Sequence, residues 1–135
     1  MRYLILLIAL FSNGLSFAET YTGNITLEKG DFFDKKPFTI NHSSEVICSV
    51  KFFAGEFVGN EAIFAYTKVK NPTDSKLKYA FHVAFFDASE NLIAVARHTT
   101  TLKPGVDTQL GGMYSEVKPE EWKNVTSYKF TVTKL

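Results

Sequence analysis

The sequence contains only one cysteine, Cys48, among 135 residues. No disulfide can therefore form within the chain, and folding must depend on the burial of apolar side chains. Closely spaced histidines and cysteines of the kind that ligate zinc are missing, as are a G-x-S-x-G motif and a glycine-rich phosphate-binding loop. We therefore expect neither an enzyme nor a protein with a metal or cofactor.

Neither basic nor acidic residues are in marked excess. The chain has 15 basic and 14 acidic residues, which gives a formal net charge of +1. Nucleic acids and anionic membranes favour proteins with a basic excess. We therefore expect the partner to be another protein or a second copy of this chain, and not nucleic acid.

Long apolar runs are absent: no stretch approaches the roughly 20 apolar residues that are needed to cross a bilayer. A short apolar run at residues 4–11 follows Arg2, and Ser16–Ala18 has the small-x-small pattern of a signal-peptide cleavage site. A retained N-terminal anchor is the alternative. We predict that residues 1–18 are a signal peptide and that residues 19–135 form one domain. The domain is expected in the periplasm or outside the cell, with no stable membrane insertion after cleavage.

Aromatic residues, by contrast, are abundant, with 13 Phe, 6 Tyr and 1 Trp. They alternate with smaller residues most clearly in residues 79–101, which predict a long β-hairpin with its turn at residues 87–91. If Ala88 lies opposite Asn91, large side chains on one strand face small ones on the other. The predicted inward pairs are Phe85 with Ala94, Val83 with Ala96, and Phe81 with His98.

Other alternating segments predict further strands. They cover residues 20–27, 38–40, 46–53, 62–70, 106–114 and 125–135. In residues 62–70 the exposed lysines favour Ile63, Ala65, Thr67 and Val69 on the inner face, with Phe64 and Tyr66 on the outer face. In residues 46–53, Cys48 is expected to be buried and unreactive.

Two short motifs interrupt this pattern of strands. Gly111-Gly112 indicates a bulge or a bend, and Pro119–Trp122 indicates one helical turn before the last strand. Together the segments predict an all-β fold, an immunoglobulin-like antiparallel β-sandwich of seven or eight strands with one short helical turn.

Three pieces of the C-terminal half resemble the FxLyD-type immunoglobulin-like domains of bacterial envelope and secreted proteins. Residues 69–74 (VKNPTD) are similar to the V-x-N that ends a strand in that family and precedes a polar turn. Residues 83–87 (VAFFD) resemble the F-x-L-y-D signature, and residues 102–105 (LKPG) resemble the L-x-P-G turn that follows it.

In this resemblance Val83 and Phe85 take the two inward positions of the signature, and Glu90 stands where the family commonly has a glycine. The turn of the hairpin is therefore expected to differ in type. The resemblance implies an immunoglobulin-like sandwich and implies no enzymatic activity.

The three histidines do not form a convergent set in the predicted hairpin. His82 lies on the outer face opposite Arg97, His98 points inward, and His42 belongs to a distant turn. A metal site requires ligands that converge on one point, so no metal site is predicted.

The outer face of the hairpin is more apolar than a solvated sheet face requires. Phe86 is predicted to oppose Ile93 and Ala84 to oppose Val95, with His82 and Arg97 at one end. The candidate partner surface therefore comprises Phe86, Ile93, Val95, His82 and Arg97.

Alternatives to a partner surface are that a loop such as Phe32-Phe33 covers these residues, or that they are scattered among polar neighbours. A second functional hypothesis is a carrier of a small apolar ligand within the sandwich. An apolar cavity lined by Phe side chains would favour the carrier.

Overall fold

The structure is a computed structural model that describes residues 17–30, 47–105 and 109–135. These residues contain seven strands and one 3-10 turn. The strands are β1 (Phe17–Asn24), β2 (Ile47–Phe57), β3 (Asn60–Lys70), β4 (Leu77–Phe86), β5 (Leu92–Leu102), β6 (Gln109–Glu116) and β7 (Ser127–Lys134), and the 3-10 turn covers Glu121–Asn124. The predicted short strand at residues 38–40 lies outside the described residues.

The strands form two antiparallel sheets, with the orders β1-β7-β4-β5 and β2-β3-β6. The fold is therefore the predicted β-sandwich. Its central pairs β3–β6 and β4–β7 join strands that are far apart in the chain. The edge position beside β7 is occupied by β1, the first of the described strands.

The chain crosses between the sheets after β1. Leu27 is buried in the core, and Lys29 forms an isolated parallel bridge with Ala54 in β2. The N–H of Gly30 donates to the carbonyl of Ala54, and the N–H of Ala54 donates to the carbonyl of Glu28, both at 2.9 Å. This segment therefore pairs with part of the edge of β2 that faces away from β3.

The core follows the predicted alternation of large and small residues. Phe85 pairs with Ala94, Val83 with Ala96, and Phe81 with His98, as predicted. Phe81 and Phe85 have no exposed surface. From the opposite sheet the ring of Phe52 meets that of Phe85 edge-on, with centroids 5.3 Å apart. Such aromatic contacts add to the free energy of burial.

The inner face of β3 is also as predicted, because Ile63, Ala65, Thr67 and Val69 are all buried. The outward residue Phe64 is buried as well, in a second cluster where its ring stacks on that of Phe53 at 5.1 Å. The sequence pattern gave the correct face for Phe64, but its burial depends on a neighbouring strand.

Of the two features predicted for Gly111-Gly112, a bulge or a bend, the bulge is wrong. Gly111 pairs with Thr67 and Gly112 with Tyr66 in a continuous ladder. A Cβ on Gly111 would lie 3.0 Å from the ring of His98 and 3.1 Å from the Thr67 hydroxyl. Glycine is present there because β5 brings the imidazole of His98 close to the backbone of β6.

The bulge occurs in the hairpin instead. The pairing of β4 and β5 shifts between Phe85 and Phe86, so that Phe86 lies opposite Leu92. The prediction that Phe86 pairs with Ile93 is therefore wrong. Because side chains alternate between the faces, a one-residue shift moves Ile93 to the opposite face from Leu92.

The 3-10 turn lies directly before the last strand, as predicted, but begins at Glu121 and not at Pro119. Glu120 precedes it with a φ of 68°. The carboxylate of Glu61 accepts a hydrogen bond from the N–H of Glu120 and another from the indole N–H of Trp122. These bonds attach the turn to β3.

Candidate functional site

The outward face of the β1-β7-β4-β5 sheet carries the apolar residues that the sequence singled out. We call Ala84, Phe86, Leu92 and Val95 the outer strip. Ala84 pairs with Val95 and Phe86 with Leu92 across the hairpin. Leu92 is 59% exposed and Val95 is 43% exposed, whereas Phe86 is half-buried. Within the described part of the chain, the outer strip is thus a contiguous apolar surface in contact with solvent. Phe32-Phe33, the loop that could cover it, lies outside the described residues.

Ile93 does not belong to this surface. It is partly buried and packs against the main core, because the bulge turns its side chain between the sheets. His82 and Arg97 lie where predicted, opposite each other and exposed at one end of the outer strip. Four of the five residues of the predicted surface therefore share one face, and Leu92 takes the place of Ile93.

Two open clefts lie along the outer strip. One, of about 470 Å³, is lined by residues that include Phe86, Glu90 and Lys129. The other, of about 400 Å³, is lined by Phe86, Leu92, Val95 and Lys129, among others. Ala84 lies beside Lys129 of β7 and is too small to fill the space between Phe86 and Val95. Phe86 and Lys129 line both depressions.

The electrostatic character of this face differs from that of the whole chain. At its described strand positions we find three permanent cations, Lys78, Arg97 and Lys129, together with His82 and no carboxylate. Hydroxyl groups from Thr20, Thr22 and Thr131 occupy much of the remainder. The strand positions of this face are therefore cationic although the net charge of the chain is near zero, whereas the hairpin turn adds the carboxylate of Glu90 to one cleft. Cationic positions favour partners that carry carboxylates.

The hairpin turn is fixed by Asp87. Its carboxylate accepts hydrogen bonds from the N–H groups of Ser89 and Asn91, each at 2.9 Å. The bond from the Asn91 backbone lowers the pKa of the Asp87 carboxyl below its usual value. Glu90 has a φ of 64°, a left-handed conformation that glycine adopts without strain.

The described residues do not bring histidines and other metal-ligating side chains together. His82 and His98 lie on opposite faces, as predicted, and His42 lies outside the described part of the chain. Within that part, no group of three or more His, Cys, Asp and Glu side chains is placed to hold a metal ion. The backbone of Cys48 pairs with Val69 in β2–β3, but its side chain lies outside the described residues, so its burial stays a prediction.

Comparison with protein-family models gives no match for this chain. No curated protein matches it significantly. Among the residues that the structure describes, no helix is long and apolar enough to span a membrane.

Two residues of the site were missed by sequence reasoning. Leu92 was missed because only the bulge, which follows the turn held by Asp87, brings it opposite Phe86. Lys129 alternates with the buried Tyr128 and Phe130, so the sequence indicated its exposure. Its position beside Ala84 depends on the pairing of β7 with β4, and these two strands are far apart in the sequence.

Proposed function

We propose that this chain is an exported, non-catalytic immunoglobulin-like module that acts by binding another protein or a second copy of itself. The contact surface is the outer strip with its cationic neighbours. The observation that carries the proposal is the exposure of Leu92 and Val95 beside Phe86 on a sheet face. A contiguous apolar patch rimmed by polar residues is typical of protein-binding surfaces.

The resemblance to FxLyD-type domains is part of this proposal. Val83 and Phe85 are buried, as the inward positions of the signature require. Asn71 organises the turn after β3, where the family has its asparagine: its amide donates to the carbonyls of Ser75 and Leu102, at 2.7 and 3.0 Å. These features support the resemblance, but they do not identify a binding partner.

The core gives less support to the carrier hypothesis. The ring of Phe52 lies 5.0 Å from Tyr128 and 6.3 Å from Phe130, in addition to its contact with Phe85. These rings occupy the space between the sheets in which a small apolar ligand would bind. The clefts along the outer strip are open to solvent and suit side chains of a partner better than an enclosed ligand.

Export is also proposed, with cleavage after Ala18. β1 begins at Phe17, and its pairs with β7 continue from Glu19 to Asn24 beyond the cleavage point. Cleavage therefore removes two pairs and leaves six. We expect the exported protein to have the intact mass of residues 19–135. A mass that retains Met1–Ala18 would show that the segment is kept as an anchor.

The contact surface is tested with two separate variants, each of which introduces one lysine on β5. Val95 and Thr101 are exposed on the same face, but Thr101 lies about 20 Å farther along the strand. We expect Val95→Lys to weaken binding at least about tenfold, because it places a cation in the apolar centre of a cationic face. Thr101→Lys should leave binding unchanged.

The measurement is co-purification of proteins, untagged copies included, with tagged full-length variants from cells that produce the protein. The same proteins should be retained by the wild type and Thr101→Lys, and lost with Val95→Lys. Equal retention by all three would contradict the proposed surface. Melting curves of each variant show whether the fold is preserved.

A further inference from the structure

The bond at which the leader is expected to be cleaved, between Ala18 and Glu19, lies inside a strand of the folded domain. Ala18 lies opposite Thr133 and Glu19 opposite Val132, in the antiparallel ladder that β1 forms with β7. Proteases preferentially cut exposed segments that are not held in a sheet. The fold therefore places the cleavage site where the backbone of the chain is paired.

The N–H of the bond to be cleaved belongs to Glu19 and faces β7. The N–H of Ile25 donates to the carbonyl of Thr126, and the N–H of Leu135 donates to the carbonyl of Lys78 in β4. Successive residues of a strand direct their N–H groups to opposite edges. Counting back by twos from Ile25 turns the N–H of Glu19 toward β7. Counting back from Leu135, which faces β4, turns the partner of Glu19 in β7 toward β1.

Side chains hold the first half of β1 in place as well. The hydroxyl of Tyr21 donates to a carboxylate oxygen of Glu19 at 2.7 Å. Gly23 lies against Tyr128 of β7, where a Cβ would come within 2.8 Å of the Tyr128 hydroxyl. The residues that follow the cleavage site thus belong to a closely packed strand of the sandwich.

We infer that folding closes the cleavage site, so that the leader is removed before β1 pairs with β7 or is retained. The inference rests on the proposed export and on cleavage after Ala18. Hydrolysis adds water across the amide and leaves a carboxylate on Ala18 and an amine on Glu19. A protease binds several residues around the bond that it cuts, so a folded protein is cut only through an opened state. Here that opening requires Glu19 and the residues after it to leave β7.

The order of the strands makes this closure a late event. β1 is the first of the described strands and β7 is the last, and β7 also pairs with β4 on its other edge. Contacts between segments so distant in sequence close a long loop and are expected to form slowly. A leader that reaches the protease early therefore meets it while the site is open. A precursor that folds first keeps its leader.

The closure is tested on the full-length precursor, residues 1–135, purified in detergent and exposed to a bacterial signal peptidase. The folded wild type should be cleaved at least about tenfold more slowly than Phe85→Ser, which keeps the cleavage sequence but is expected to lose the fold. Circular dichroism measures the folding of both before the enzyme is added. Equal rates for a folded wild type and an unfolded Phe85→Ser would overturn the closure and leave the proposed export intact.

Two proline variants separate the opening of β1 from loss of the whole fold, and they apply even if Phe85→Ser folds. Tyr21→Pro removes an N–H that faces β7 together with the hydroxyl that binds Glu19. Thr22→Pro is the matched control, because Thr22 is exposed and its N–H faces away from β7, where an edge strand tolerates proline. We expect Tyr21→Pro to be cleaved at least about tenfold faster than the wild type and Thr22→Pro at the wild-type rate. Equal rates for the two variants would contradict closure by the β1–β7 ladder.

The proposed export fails in a different way. The intact mass of each product identifies the bond that was cut. If none of the forms, Phe85→Ser included, is cleaved between Ala18 and Glu19, the proposed cleavage is wrong and this inference fails with it. If Phe85→Ser and Tyr21→Pro are cleaved there rapidly and the folded wild type is not, the inference stands.

Discussion

Replacing Phe85 with serine is expected to unfold the domain or lower its free energy of unfolding by at least about 3–5 kcal/mol, the range for Phe→Ala at core sites. Phe85 has no exposed surface, and its ring lies edge-on to that of Phe52 in the opposite sheet. Its cross-strand neighbour Ala94 is too small to fill the space that the ring leaves. The serine hydroxyl would in addition be buried among apolar groups. Thermal and urea denaturation measure the loss.

Phe86→Ser is the matched control, since the two residues are adjacent and carry the same side chain. Phe86 points to the outer face and is only half-buried, so its replacement should cost about 1 kcal/mol. Equal destabilisation by the two changes would contradict the assignment of Phe86 to an outer surface. The outer strip would then be part of a core, and the proposed contact surface would be lost with it.

Asn71→Ala is expected to produce the second large effect, a loss of about 3 kcal/mol and a drop in melting temperature on the order of 10 °C. Asn71 is buried, with 4% of its surface exposed. Its amide donates to the carbonyls of Ser75 and Leu102, and its Oδ1 accepts from the N–H and the hydroxyl of Thr73, at 2.9 and 2.7 Å. Alanine would leave the Leu102 carbonyl without this buried donor.

The neighbouring residue Asp74 provides the control for Asn71. It lies in the same turn but is exposed, so Asp74→Ala should change the melting temperature by no more than about 2 °C. Calorimetry on the two variants measures both melting temperatures. Similar melting temperatures for Asn71→Ala and the wild type would show that the turn between β3 and β4 does not depend on this side chain.

The part of the fold that sequence predicted well depends on alternation over long strands. In β4 and β5 a period of two over about ten residues specified both the inward face and the partner of Phe81, Val83 and Phe85. The inward face of β3 was predicted for the same reason, because two exposed lysines settle the phase of the pattern.

Features set by contacts between distant segments could not be read in this way. The ring of His98 reaches Gly111 only because β5 and β6 come together at one side of the sandwich. A glycine pair in sequence indicates a bulge equally well. The bulge that moved Ile93 into the core depends on how Asp87 binds the N–H groups of the turn, and a one-residue shift there reassigned one residue of the candidate site.

The outer strip was only partly predictable, because some of its surroundings come from strands that are distant in sequence. Its β4 and β5 residues follow from the pairing of the hairpin, whereas Lys129 and the hydroxyl-bearing residues of β1 and β7 join it only in the folded sheet. The cationic character of the face was therefore not visible in the composition. The positive φ of Val58, 51°, was not visible either, since the sequence gives the position of the neighbouring Gly59 but not the backbone angles around it.

The most direct test of the contact surface is photo-crosslinking from single positions in the producing cell. A photoreactive phenylalanine analogue replaces Val95 in one variant and Thr101 in another, so that both probes lie on the same strand and the same exposed face. We predict a discrete adduct, to a second copy or to another protein, from position 95 and none from position 101. Adducts of equal yield from both positions, or none from position 95, would contradict the assignment of the outer strip as the binding surface.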